Sequence, residues 1–302
     1  MNKKTTGILL VLATALISGF SVFINKYGVK ETNPYVFTFV KNLIAALPFL
    51  FLSIPLYRQI KKLNVKEKVL FLSIAVIGGS IPFLLFFKGL SMASAANANF
   101  IHKTMFLYIT LFGVYYLKEK LNWVSISGLV VLLFGSLMFF KLDPSKLGMG
   151  ELYILLATLL WAGEILVSKK LLGKISPSLI SFSRMFLGAV LIFVYLIMSR
   201  QTAPLLTLNL HQWTWLLVSG GLLFGYVLTF YQGLKRLPAS ETTAILTLAV
   251  PITSLLTLGL QGKSLLPGQP VAVLIIVAGI ILITGSSFVL SFPRRRESTN
   301  NY

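Results

Sequence analysis

The sequence contains no cysteine, and Asp and Glu together number 8 in 302 residues. Disulfides, thiolate metal sites and cysteine nucleophiles are thereby excluded. Histidines number only 2, and neither they nor the carboxylates recur at metal-ligand or acid–base spacing. No metal or cofactor is expected, and an intramembrane enzyme lacks its parts. No Asn-x-Ser/Thr sequon occurs. Charged residues of all kinds make up 12%, about half of the roughly 25% usual in a soluble domain.

In their place stand hydrophobic residues, 56% of the chain, with a mean hydropathy of +0.85. A span needs about 20 apolar residues to cross roughly 30 Å of hydrocarbon. Stretches of that length occur near 7–29, 34–55, 67–89, 93–117, 121–140, 150–168, 177–199, 212–233, 239–260 and 267–290. The expected fold is an all-α polytopic membrane protein of ten transmembrane helices. The short connections leave no room for a soluble domain. Lys3-Lys4, the apolar run and Ala13-Thr14-Ala15 imitate a cleavable signal peptide, but the apolar stretch continues to about Val29. The first helix is therefore expected to be kept as an anchor.

The chain also repeats itself. A shift of 144 positions brings Ala13-Thr14 onto Ala157-Thr158, Gly19 onto Gly163, Gly89-Leu90 onto Gly233-Leu234 and Gly135 onto Gly279. A shift of 143 brings Asn33-Pro34 onto Ser176-Pro177 and Lys41 onto Arg184. Two halves, 1–145 and 146–302, thus carry five spans each. Five is odd, so the second copy enters the membrane inverted, an architecture of alternating-access transporters.

The net charge of +19 is explained by topology rather than by nucleic acid. With the N-terminus inside, most Lys and Arg residues fall at cytoplasmic helix ends, among them Lys3, Lys4, Arg58, Lys118, Lys169, Lys235 and Arg294 to Arg296. The outer set is smaller: Lys26, Lys30, Lys88, Lys141, Lys146, Arg200 and Lys263. Both termini are expected in the cytoplasm of a multi-pass protein of the cell (inner or plasma) membrane. The arginine cluster of the tail is drawn to anionic lipid.

Charges inside hydrocarbon cost several kcal/mol unless they face a cavity or a partner, so the few present are the candidates. Lys103 sits near the middle of the fourth span beside His102, with Asn99 one turn earlier on the same face. It is the leading substrate contact. Lys41 and Arg184 lie seven residues past the proline opening their spans, roughly 10 Å deep at about 1.5 Å per residue, so each either snorkels or lines the cavity. Asn42 and Ser181 are expected to add polar lining. Glu164, in the sixth span, is a counter-ion of Lys103 or Arg184, or else a protonatable coupling group. His102 is a proton carrier or a packing residue. Trp161 and Tyr226 lie deep enough to stack on a ligand. The first-span stripe Thr14, Ser18, Ser21 and Asn25 suits helix–helix contact more than substrate. Gly78-Gly79-Ser80-Ile81-Pro82 and Gly220-Gly221 interrupt the third and eighth spans in corresponding places, chiefly for close packing.

These features resemble the drug/metabolite transporter superfamily, in its ten-span form built from two EamA-type repeats. The resemblance rests on Gly89-Leu90 with the small run Ala93 to Ala98, Tyr115-Tyr116-Leu117-Lys118-Glu119-Lys120-Leu121, Gly128 and Gly135. In the second copy it rests on Gly233-Leu234, Pro238-Ala239-Ser240, Pro251, Gly262-Lys263-Ser264-Leu265 and Gly279. Two departures stand out. The acid closing the fourth helix, Glu119, becomes Lys263 in the second copy, and Pro251 has no first-half counterpart, which implies a straighter fourth helix. The resemblance implies a central cavity sealed alternately at either face and, in many members, export of amino acids or other small metabolites. The candidate cations Lys41, Lys103 and Arg184 outnumber Glu164, which favours an amino acid or organic anion; efflux of lipophilic drugs is the alternative. The expected partners are a small-molecule substrate and membrane lipid, with the chain a monomer or homodimer.

Overall fold

The computed structural model describes residues 2–28, 31–93, 95–140, 147–261 and 266–291. Lys30, Lys141, Lys146, Lys263 and the Arg294 to Arg296 cluster lie outside them. Among the described residues eight segments are long and apolar enough to cross a membrane, and two further apolar segments, 95–116 and Gln269–Ser291, complete the ten of the two-repeat pattern. The first two are α1 (Lys3–Gly28) and α2 (Pro34–Ser53), followed by the short α3 (Tyr57–Lys61). The third span is α4 (Val65–Ile77) with α5 (Ile81–Leu90), the fourth α6 (Ala95–Lys103) with α7 (Met105–Tyr116), and the fifth α8 (Trp123–Phe140). The second half repeats the series. It has α9 (Met149–Leu171), then α10 (Pro177–Phe182) joined through a π-turn to α11 (Gly188–Met198), then α12 (Leu210–Arg236). The ninth span is α13 (Ala239–Leu246) with α14 (Ala249–Gln261), and the tenth α15 (Gln269–Ser291).

The repeated Asn-Pro and Ser-Pro pairs start equivalent helices by the same chemistry. The Asn33 side-chain oxygen accepts from the Tyr35 and Val36 amides at 3.0 and 3.3 Å, and the Ser176 hydroxyl accepts from Leu179 at 3.4 Å. Proline follows at the first helical position, where a missing N–H costs nothing. The halves are inverted. The start of α1 and the end of α9 both lie against the α12–α13 junction, as Gly7 abuts Arg236 and Lys169 bonds Leu234 and Leu237. Helix packing obeys the same exchange: α1 packs on α12 as α9 packs on α5, and α2 on α12 as the π-turn and α11 on α4. The fourth and ninth spans pack on each other, as do the fifth and tenth.

Interruptions in the spans differ from expectation in two places. The fourth span is not straighter; it breaks at Thr104, whose hydroxyl bonds the Ile101 carbonyl at 2.6 Å. Thr247, 143 positions on, breaks the ninth span the same way, on Ala244 at 2.6 Å. A hydroxyl that takes its own helix carbonyl satisfies a group hydrocarbon cannot. The glycine pairs are also unequal: α4 and α5 part at Gly78–Ser80, whereas α12 runs unbroken through Gly220-Gly221. Pro82 explains the difference, because it lacks the amide that would bond the Gly78 carbonyl four residues back.

Glycines set how closely spans approach. A Cβ on Gly79 would lie 2.9 Å from the Arg184 carbonyl carbon and from the Gly188 Cα, and one on Gly128 would lie 2.9 Å from the Gly279 carbonyl oxygen. At the α1/α9 end, Lys118 adopts the left-handed backbone (φ 54°) and turns Glu119 toward α13. There Glu119 accepts from the Ala239 and Ser240 amides at 2.6 and 3.2 Å, and from the Ser240 hydroxyl at 2.6 Å. Lys169 donates to the Leu234 and Leu237 carbonyls at 2.7 and 2.5 Å. A carboxylate on a helix N-terminus and an ammonium on a helix C-terminus both complement the helix dipole. Glu119 thus ties the first half to the second at that end, while Lys169 fastens α9 to the end of α12 within the second half.

Gly79→Ala should therefore lower thermal stability in detergent by about 1–3 kcal/mol, the usual cost of overpacking. Gly221→Ala, whose added Cβ meets nothing within 4 Å, should leave the unfolding midpoint unchanged or raise it. Equal midpoints for the two variants would contradict the packing assigned to Gly79.

Candidate functional site

A cavity of about 160 Å3 lies at mid-depth, near the broken spans, and takes its wall from both halves. Lys41, His102, Lys103, Trp161, Arg184 and Tyr226 all border it. The other candidates do not. Asn99 lines a second space of about 120 Å3, which shares Lys103 with the first. Asn42 is fully buried beside Lys41, with neither amide atom hydrogen-bonded among the described residues. Ser181 is buried and turned back on the Pro177 carbonyl at 3.0 Å.

Glu164 has no exposed surface and sits behind the wall. Its Oε2 accepts from Arg184 Nη1 at 3.3 Å, and its Oε1 accepts from the Tyr231 hydroxyl at 2.6 Å and from the Ser168 hydroxyl. Arg184 Nη1 also donates to Tyr231 Oη at 3.1 Å. Of the alternatives open for this carboxylate, the structure places it against Arg184 rather than Lys103. The network joins α9, the π-turn and α12. The turn Ser183–Leu187 carries Arg184 between Gly79 and the carboxylate. Its arginine is thus 8% exposed, with only a small part facing the cavity.

Lys41 has a different environment. It is 4% exposed, and its ammonium lies over the rings of Phe37, Phe83 and Phe87 at 5.4, 5.9 and 5.2 Å. Ring faces attract a cation weakly, by about 0.5–2 kcal/mol each, and no carboxylate lies within salt-bridge distance among the described residues. The repeat register explains the contrast. Phe87 occupies the place of Tyr231 and Phe20 that of Glu164, each 144 positions earlier. Both halves present a cation; only the second supplies its anion.

Lys103 ends α6 at the helix break and borders both spaces. It too makes no ion pair among the described residues. Next to it, His102 packs its ring 5.1 Å from Trp161 and 5.2 Å from Phe86, with Nδ1 buried and unbonded. Trp161 is held from behind: its indole N–H donates at 3.0 Å to the Gly78 carbonyl, the group that Pro82 left without a helical donor.

Several wall residues were not expected from the sequence. Ser18, Ser21 and Asn25 of the first-span stripe line the cavity, while Thr14 points away, bonding Thr229 at 2.8 Å and the Leu10 carbonyl at 2.7 Å. Thr243 and Thr247 of the ninth span join them. Tyr231, the hydroxyl partner of Glu164, is not among the residues expected from the sequence; its repeat equivalence with Phe87 is the available signal. A larger cleft of about 570 Å3 runs between the third, fourth and sixth spans, past Leu70, Phe112, Leu159 and Leu166. Lys170 is its one charge, and it gathers none of the candidates.

The model of the EamA-like transporter family matches residues 5–141 and 148–285. An uncharacterized transporter, YoaV, of Bacillus subtilis is 26% identical over 95% of this chain and 97% of its own length. An uncharacterized transporter of Archaeoglobus fulgidus is 27% identical over 76% and 80% respectively. The riboflavin transporter ImpX of Fusobacterium nucleatum is 24% identical over 94% and 99%. One solved crystal structure superimposes with a TM-score of 0.74 at 16% identity, covering 96% of this chain and 100% of the other, and so shares the fold.

Removing one member of a buried ion pair leaves the other uncompensated, at about 3–5 kcal/mol. Glu164→Gln should lower the unfolding midpoint sharply, and adding Arg184→Gln should recover part of the loss. Adding Lys103→Gln to Glu164→Gln should recover nothing. Recovery by Lys103→Gln would mean that the carboxylate serves the lysine instead.

Proposed function

Because the chain belongs to the EamA-like transporter family, we propose that it is a secondary transporter carrying a small organic anion or amino acid by alternating access. The carrying observation is a cavity walled by both repeats in which Lys41 and Lys103 have no carboxylate partner among the described residues. Such a site repels a cationic drug and pairs a carboxylate or phosphate. A cytoplasmic placement of both termini in the cell membrane accords with the bias of basic residues, and export accords with the habit of the superfamily that the sequence resembles. The name of the Fusobacterium relative, at 24% identity, is not carried over.

Transport needs the cavity exposed to each face in turn. The described conformation is closed at the α1/α9 end, where Glu119 holds α13 and Lys169 holds α12. The cavity reaches toward the other end at Asn25, near the close of α1. Opening the closed end releases both contacts, and the broken fourth and ninth spans let half-helices tilt while their partners stay packed.

Flux of labelled organic anions into proteoliposomes tests the reading directly. Lys103→Gln should reduce uptake by about tenfold or more, the worth of a charge-assisted hydrogen bond, with folding intact by size exclusion. Undiminished flux in that variant would refute the lysine's role. A reporter fused to the C-terminus should score cytoplasmic; an external score would overturn the orientation.

A further inference from the structure

The cations bordering the cavity are not equivalent, and their inequality narrows the cargo. Arg184 is already neutralised by Glu164 at 3.3 Å. Lys41 has only phenyl rings, and Lys103 makes no ion pair among the described residues. Two of the three cations on the wall thus have no carboxylate partner among the described residues. A carboxylate that might receive an ammonium group is equally relevant. Glu164 bonds the wall residue Arg184, but it has no exposed surface, and both its oxygens are engaged, by Tyr231 and Ser168 on one and Arg184 on the other. None of the described residues bordering the cavity is acidic.

An α-amino acid brings one carboxylate and one ammonium. The first would pair with a lysine, and the second would face Lys41 or Lys103, His102 and ring edges with no anion to meet it. Like charges in a water-poor site cost several kcal/mol. A ligand with two anionic groups meets no such penalty and neutralises both lysines. Size sets the remaining limit. About 160 Å3 is close to the roughly 150 Å3 that holds benzene, so the ligand is compact. Phe37, Phe83 and Phe87 around one lysine and Trp161 near the other leave an apolar middle, suited to a short hydrocarbon link between two charged ends.

We propose that this cavity takes a compact organic dianion without an ammonium group, of the bulk of a four-carbon dicarboxylate, with one anionic end at Lys41 and the other at Lys103. The proposal rests on the anion-transport reading and narrows it. It excludes amino acids as the preferred cargo.

The test uses purified full-length protein in detergent and three probes of equal chain length: succinate, butyrate and 4-aminobutyrate, at neutral pH where carboxylates are ionised. Thermal shift reads binding, since a ligand of the native state raises the midpoint by mass action. Succinate should bind about tenfold or more tightly than butyrate, the worth of one further charge-assisted bond, and 4-aminobutyrate should bind most weakly. Lys41→Met, which keeps a long side chain among the rings, should reduce the succinate preference to near parity. Wild-type binding of butyrate or 4-aminobutyrate as tight as that of succinate would overturn the dianion proposal while leaving anion transport standing. No shift with any of the three, together with a shift by a lipophilic cation such as tetraphenylphosphonium, would overturn anion transport itself. Because the wild-type series alone decides between these outcomes, misfolding of the variant would not protect the proposal.

Discussion

Burying the Glu164 carboxylate in the membrane interior constrains everything around it. A bare carboxylate at that depth costs several kcal/mol, so the sixth, seventh and eighth spans converge to supply Ser168, Arg184 and Tyr231. That convergence draws Arg184 inward on its π-turn, brings the turn's backbone against Gly79, and leaves no space for any larger residue there. The glycine contact and the ion pair are thus two faces of one requirement. Gly78 shows the same pressure, since a Cβ on it would lie 3.0 Å from the Glu164 carboxyl carbon.

Duplication gave the two halves a shared scaffold and unequal chemistry. Proline starts and threonine breaks recur at equivalent places because each answers a backbone demand that both copies face in lipid. Side chains at the centre answer to cargo instead, and there the copies part. Tyr231 and Phe87 differ by a single oxygen, yet that oxygen joins a charge network in one half and is missing from the cation's surroundings in the other. The closed end is likewise one-sided: Glu119 crosses from the first half to cap a helix of the second, and the equivalent residue of the second half is a lysine.

How much of this was legible in the sequence depended on whether a feature was periodic or spatial. The ten segments, their inversion and the placement of Lys41, Lys103 and Arg184 within spans follow from hydropathy and register alone. The break at Thr104 was not foreseen because threonine is an ordinary strand or helix residue until its hydroxyl takes a carbonyl three residues back. For Glu164 the sequence leaves open a counter-ion or a coupling group, and which cation it meets turns on how the seventh span rotates, which a five-residue π-turn decides. Asn42 follows Lys41 in sequence, so the two point in different directions on one helix, and only the lysine meets the cavity. The first-span serines were taken for helix contacts, since small hydroxyl residues serve both purposes and composition does not separate them.

Pro82 is not among the residues that border the cavity, yet the wall takes its form from it. The proline removes one amide, the freed carbonyl of Gly78 recruits the indole of Trp161, and the anchored indole fixes the angle at which His102 and Phe86 stack. A defect in the main chain is thereby converted into the shape of a recognition surface. Substrate range in such a protein can drift through helix breakers that stand a layer behind the site, with every side chain that meets the ligand unchanged. Comparing only the ligand-facing positions of related chains would miss that route of divergence.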